Sequence, residues 1–100
     1  MNIREEEYVL AIWKYRNIKS AADELLISPP GLSMFLSGLE KRLGVKLFHR
    51  VGKHLSATDI GMEYISHAQK ITEQKREFDA QLSDYKNEVT GTISVGLHPR

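Results

Sequence analysis

From Asp59 to Glu88 the chain repeats itself in one respect. Tyr64, Ile71, Phe78 and Tyr85 stand seven residues apart, and most of the positions between them are charged or amide residues. Leu82 and Val89 flank the later part of this row, and Ala68 the earlier part. A seven-residue recurrence places these side chains on one narrow line of a helix about 30 residues long. A helix that is polar around most of its circumference does not hold up alone. Its seam needs cover, and the expected cover is a second copy of the chain, meeting it through Tyr64, Ile71, Phe78, Leu82 and Tyr85. His67 and Gln74 also fall on the seam and are read as polar residues that set its register.

That leaves residues 1–58 to supply a core. The first segment predicts a helix from Ile3 to Tyr15. Asn2 is a suitable N-cap with Glu5 three residues on, and Val9, Ile12 and Trp13 make an apolar stripe. Asn17 restarts the chain as a second N-cap, and Ile18, Ala21, Ala22 and Leu25 follow at helical spacing. This helix ends near Ile27, because Pro29 disfavours a helical Ser28. A third helix opens at SPPG. Ser28 is the N-cap, and Pro29 and Pro30 take the first helical positions, where a missing amide hydrogen costs nothing. Leu32, Leu36, Leu39 and Leu43 form its expected buried face, and Gly44 its C-cap.

The stretch KLFHRVGKHLSAT, from Lys46 to Thr58, places Gly52 between two short strand-like runs. It reads as a hairpin with Lys53 and His54 near its tip. Thr58 caps the long helix. In the tail, TGTISVGLHPR, Ile93, Val95 and Leu97 alternate with smaller residues and suggest one strand. One strand makes no sheet, so residues 90–100 are read as the opening of a second domain that lies beyond this chain. That domain is the other surface available to the seam; the second copy is preferred, because the front domain offers no other long face.

Composition narrows the function. The chain has no cysteine, which excludes disulfides, zinc–thiolate clusters and a cysteine nucleophile. His49, His54, His67 and His98 are scattered without helical i, i+4 pairing, so no metal site is expected. No apolar run is long enough for a membrane helix, and MNIREEEYVL is no signal peptide. A soluble, cytoplasmic protein is the expectation. No nucleophile–base or paired-carboxylate spacing supports an enzyme. Net charge is only +1, but it is uneven. Nine bases face six acids up to Thr58, giving +3, and five face seven from Asp59 onward, giving −2. A mildly basic front half permits a polyanionic partner.

Three short helices, a tight Ser-Pro junction and a basic hairpin describe a mainly α winged helix-turn-helix (1–58), followed by a long dimerisation helix (59–89). The order of motifs resembles the N-terminal part of the LysR-type transcriptional regulators. The matching residues are Asn17, Ala21, Ala22 and Leu25, then SPPGLS where that family writes Ser-Gln-Pro-Ala-(apolar)-Ser. Leu39-Glu40, Leu43-Gly44, Leu47-Phe48, Arg50, Gly52, Thr58 and Gly61 follow in register.

The resemblance implies a homodimer on duplex DNA with an approximately palindromic site. For the full-length protein it implies a tetramer and a small-molecule inducer bound by the absent domain, with no cofactor in this segment. It implies that the third helix enters the major groove by its leading end, where Ser28, Pro29, Pro30 and Gly31 keep the backbone slim and its free amides and dipole favour phosphate. In that position Ser33 and Ser37 can donate or accept at a base edge, and Met34 can lie against a thymine methyl. Arg50, Lys53 and His54 become wing contacts to phosphate or the minor groove. Asn17, which opens the second helix, is counted among the residues expected to bind DNA. Lys19 and Ser20 are read either as phosphate contacts or as idle surface.

The chain also departs from the family. Pro29 and Met34 stand where it usually has Gln and a basic residue, so direct base readout is expected to be weak. Glu6 stands where the family prefers an apolar residue and Ala57 where it prefers leucine, and both are expected to loosen local packing. The plain first half of the third helix supports a competing reading, a winged-helix protein-interaction module with an eroded DNA surface.

Overall fold

The computed structural model describes residues 4–91, with side chains through Glu88. Its elements run α1 (Arg4–Tyr15), α2 (Ile18–Leu25), α3 (Pro29–Leu43), β1 (Phe48–Val51), β2 (His54–Ala57) and α4 (Asp59–Gly91). The proposed Asn2 cap lies outside the described residues. So does most of the tail read as a strand; α4 continues through Gly91, two residues into that tail.

One core holds the front of the molecule together. Val9 and Ile12 of α1, Ala21 and Ala22 of α2, and Leu32, Leu36 and Leu39 of α3 meet Leu47, Phe48 and Leu55 of the wing and Ile65 of α4. Leu43, expected on the buried face of α3, is 45% exposed, because the last turn of α3 runs past the core before Gly44 ends it. Gly44 has a φ of +78°, and its amide donates to Glu40 O at 2.8 Å.

Local chemistry sets both helix junctions. Between α1 and α2, Arg16 turns left-handed (φ +54°), and its amide returns to Ile12 O at 2.7 Å. Its guanidinium lies 3.5 Å over the Trp13 ring, and Nε donates to Trp13 O at 3.1 Å. Asn17 Oδ1 then caps α2 by accepting from the Ser20 amide at 2.9 Å. At the other end of α2, Leu26 is left-handed (φ +61°), with its amide on Asp23 O and the Ile27 amide on Ala22 O. Those two bonds make a Schellman ending with leucine in the position glycine usually holds.

The wing pairs Phe48 with Ala57 and Val51 with His54, leaving Gly52 and Lys53 as a two-residue loop. Gly52 has a φ of +65°, while Lys53 keeps a negative φ, as in the II′ turn that suits a right-twisted hairpin. Ala57 packs against the core despite its small size.

The start of α4 is bolted to the base of the wing. The Thr58 amide donates to Leu47 O at 3.0 Å, and Thr58 Oγ1 donates to Lys46 O at 2.7 Å while accepting from the Gly61 amide at 2.9 Å. Gly61 is buried so closely that a Cβ there would lie 2.0 Å from Leu47 O. The helix then runs against α1, burying Ile65 and Ala68. The expectation that the front domain offers this helix no long face is therefore wrong for its first turns, which lie along α1. Beyond them α4 projects, and the molecule is 61 Å long but only 25 and 19 Å across.

Candidate nucleic-acid interface

The exposed side of α3 carries Pro29, Pro30, Gly31, Met34, Ser37, Gly38 and Lys41, with Ser33 half-buried beside them. Pro30, Met34, Ser37 and Lys41 follow one another at i, i+4, i+7 and i+11, so they form one stripe along the helix. No amide at the leading end of α3 is free. Pro29 and Pro30 have none, the Gly31 amide is held by Ser28 Oγ at 3.1 Å, and the Leu32 amide by Ser28 O at 3.0 Å. The expectation of free amides at this helix start is corrected accordingly, and only the helix dipole remains there to favour an anion. Ser28 acts on the backbone as the cap.

The wing lies against this helix. Arg50, exposed on β1, brings Nη2 to 3.5 Å from Ser33 Oγ. Lys53 and His54 are exposed at the tip. Three internal hydrogen bonds fix the wing's position. The Leu55 amide donates to Arg16 O at 3.0 Å, tying β2 to the α1–α2 junction. The Glu40 carboxylate is buried at the foot of α3, where it accepts the Leu47 amide at 2.7 Å and the Phe48 amide at 3.1 Å, with Lys46 Nζ 3.9 Å away. Asn17, Lys19 and Ser20 form the first turn of α2, where Asn17 is half-buried and engaged as the cap, and Lys19 and Ser20 are exposed.

Ion pairing separates the cations into two groups. Lys14 pairs with Glu24 at 3.0 Å, Arg42 with Glu5 at 2.6 Å, Lys75 with Asp79 at 2.7 Å, and Arg76 with Glu73. The bond to Asp79 raises Lys75 above its ordinary pKa, and those to Tyr15 and Lys14 lower Glu24 below its own. Among the described residues, Lys19, Lys41, Arg50 and Lys53 have no carboxylate partner, and neither do Arg16, which lies on Trp13, and Lys70 of α4. Lys41 was not singled out in the sequence, and Glu40 only as part of the Leu39-Glu40 match, without a role. The signal for Lys41 is its place one turn beyond Ser37; for Glu40 the motif marked the position but not its task, because a carboxylate that caps backbone amides across a loop has no local spacing of its own.

The seam on α4 is divided. Ile71, Phe78, Leu82 and Tyr85 are exposed, and Ile71 and Phe78 edge a shallow apolar hollow with Gln74, Lys75 and Asp79. Tyr64 does not join them. It packs half-buried against the core of its own chain. Burial first, and then the charges of Glu6 and Glu5, push its phenol up to about 12. Among the described residues no helix is long and apolar enough to cross a membrane, and no group of three histidines or carboxylates is placed to hold a metal ion.

Residues 3–62 match the family model described as bacterial regulatory helix-turn-helix protein, lysR family. Over 99 residues the chain is 32% identical to the hydrogen peroxide-inducible genes activator of Haemophilus influenzae, covering 99% of this chain and 33% of that protein. It is 31% identical to the DNA-binding transcriptional dual regulator OxyR of Escherichia coli K12, covering 99% of this chain and 32% of that protein. The chain thus spans about a third of the length of these curated relatives. Among solved structures, the DNA complex of the CbnR DNA-binding domain superposes with a TM-score of 0.72 at 28% identity, covering 85% of this chain and 99% of that one. Full-length OxyR from Pseudomonas aeruginosa superposes with a TM-score of 0.77 at 28% identity, covering 89% of this chain and 30% of that one. The chain belongs to the LysR family of bacterial regulatory helix-turn-helix proteins.

Proposed function

We propose that this chain is the DNA-binding and dimerisation segment of a transcriptional regulator. Residues 1–58 would bind duplex DNA, α4 would pair two copies, and the residues beyond Gly91 would open an effector domain. The observation that carries this reading is the exposed stripe of α3 with Arg50 held against it, all within the residues that match the family model. The CbnR domain, which has a similar fold, is a DNA complex.

The mechanism follows from the geometry. Lys19, Lys41, Arg50 and Lys53 carry charge that no carboxylate neutralises, and phosphate is the counter-ion they fit. The slim leading half of α3 admits the helix to the major groove. Two copies paired through Ile71, Phe78, Leu82 and Tyr85 would present two such helices to successive grooves, roughly 34 Å apart or a multiple of that. Tetramer assembly and an inducer belong to the whole protein, which regulates transcription and catalyses no reaction.

Selection of random duplex DNA on this chain at about 0.15 M salt, where weak surface electrostatics are partly screened, tests the proposal. A two-fold-symmetric motif is expected. Failure of the folded chain to retain any duplex would overturn it in favour of a protein-interaction module. Replacing Arg50 and Lys53 together with alanine should weaken binding across all sequences and flatten the plot of log affinity against log salt by about 4 for the paired molecule, about 1 for each of the two contacts in each copy.

A further inference from the structure

The reading stripe of α3 is short of polar tools. From Pro29 to Glu40 it has no amide or guanidinium side chain, and the one carboxylate, Glu40, is buried at the foot of the wing. Its leading amides are absent or engaged within the chain. The pairings that read bases most sharply are therefore not available from residues 29–40 of this helix: arginine or lysine on guanine, asparagine or glutamine on adenine, and a carboxylate on cytosine. Lys41 stands at the trailing end of the stripe, three turns behind Pro30. Ser33 and Ser37 remain, and a serine hydroxyl both donates and accepts, so it accommodates any base.

One discriminating feature of the major groove needs no hydrogen bond, the 5-methyl group of thymine. Met34 is 75% exposed, one turn beyond Pro30, at the centre of the stripe. Its side chain is unbranched and polarisable, and it adapts to an apolar contact at more than one depth. We propose that Met34, with Pro30 beside it, is the specificity-determining residue of this helix and reads thymine 5-methyl groups in each half-site. The inference rests on the DNA-binding reading above.

Deoxyuridine isolates the methyl, because it differs from thymidine in that group alone and keeps every hydrogen-bonding atom. The duplex recovered by selection is made with dU replacing each dT in turn, and its affinity for the chain is measured at one fixed salt concentration. One or two thymines per half-site should show a loss of roughly four-fold each on removal of the methyl, the factor expected for uncovering one buried carbon. Met34→Ala should lower affinity for the dT duplex and leave dT and dU indistinguishable at those positions. Met34→Leu should keep the discrimination. The side chain is exposed, so neither variant threatens the fold. Tight binding that is indifferent to dU at every position would overturn the inference and leave the proposed function standing. So would a Met34→Ala chain that still discriminates, or a recovered motif without thymine. Failure to retain any duplex would overturn both.

Discussion

Gly61 is the residue with the least room. A methyl there meets the backbone carbonyl of Leu47, which cannot swing aside as a side chain can, and that carbonyl already accepts the Thr58 amide. Gly61→Ala should cost more than about 2 kcal/mol of unfolding free energy in urea melts, at the upper end of what overpacking a core does. Leu26 presents the opposite case. It is left-handed, a conformation that strains any residue with a Cβ by roughly 1–2 kcal/mol, yet its side chain is 90% exposed and contributes little burial. Leu26→Asn should stabilise the chain by roughly 0.5–1 kcal/mol in the same melts. The sequence marks Gly61 and Gly52 as glycines but hides Leu26 and Arg16, because a left-handed turn made by an ordinary residue leaves no compositional trace. The caps Asn17, Ser28 and Gly44 were legible for the converse reason. Each satisfies a local backbone need with a residue type selected for it.

At the scale of elements, the packing of α4 on α1 was the part least visible in the chain. A seven-residue row says that a seam exists and does not say what covers it. The row begins at Tyr64, whose ring turns toward the chain's own core, while Ile71, Phe78, Leu82 and Tyr85 face outward. The helix rotates about 20° per heptad against a strict seven-residue repeat, so one line of residues passes from one neighbour to another. Tyr64 offers a measurable signature of this packing. Its folded pKa of about 12 lies above the ordinary 10.0, because burial and the nearby Glu6 and Glu5 disfavour the phenolate. A raised folded pKa contributes stability that is complete below pH 10 and is lost as pH rises from 10 to about 12. Denaturation across that interval should show a decline in stability that Tyr64→Phe makes shallower. A decline of equal steepness in the variant would show that other groups cause it.

For the whole molecule, the question is what the projecting part of α4 meets. If a second copy covers it, Phe78→Asp should shift sedimentation profiles from dimer to monomer, while Tyr64, Ile65 and Ala68 keep the winged domain folded in a far-UV melt. The same variant should weaken binding to a two-site operator more than to a single half-site, because pairing supplies the effective concentration of the second head.

Gly61, Ile65 and Ala68 fix the near end of α4, and from Ala68 to Gly91 the helix extends for roughly 34 Å at 1.5 Å per residue. If two copies cross near Phe78, about 15 Å along the helix from Ala68, a change of about 13° in the crossing angle would shift one winged head against the other by roughly 3.4 Å, the rise of one base pair. So paired, the molecule would be a caliper graduated in base pairs. Its jaws would be the two α3 helices, and its setting would be held along the seam, outside the winged heads.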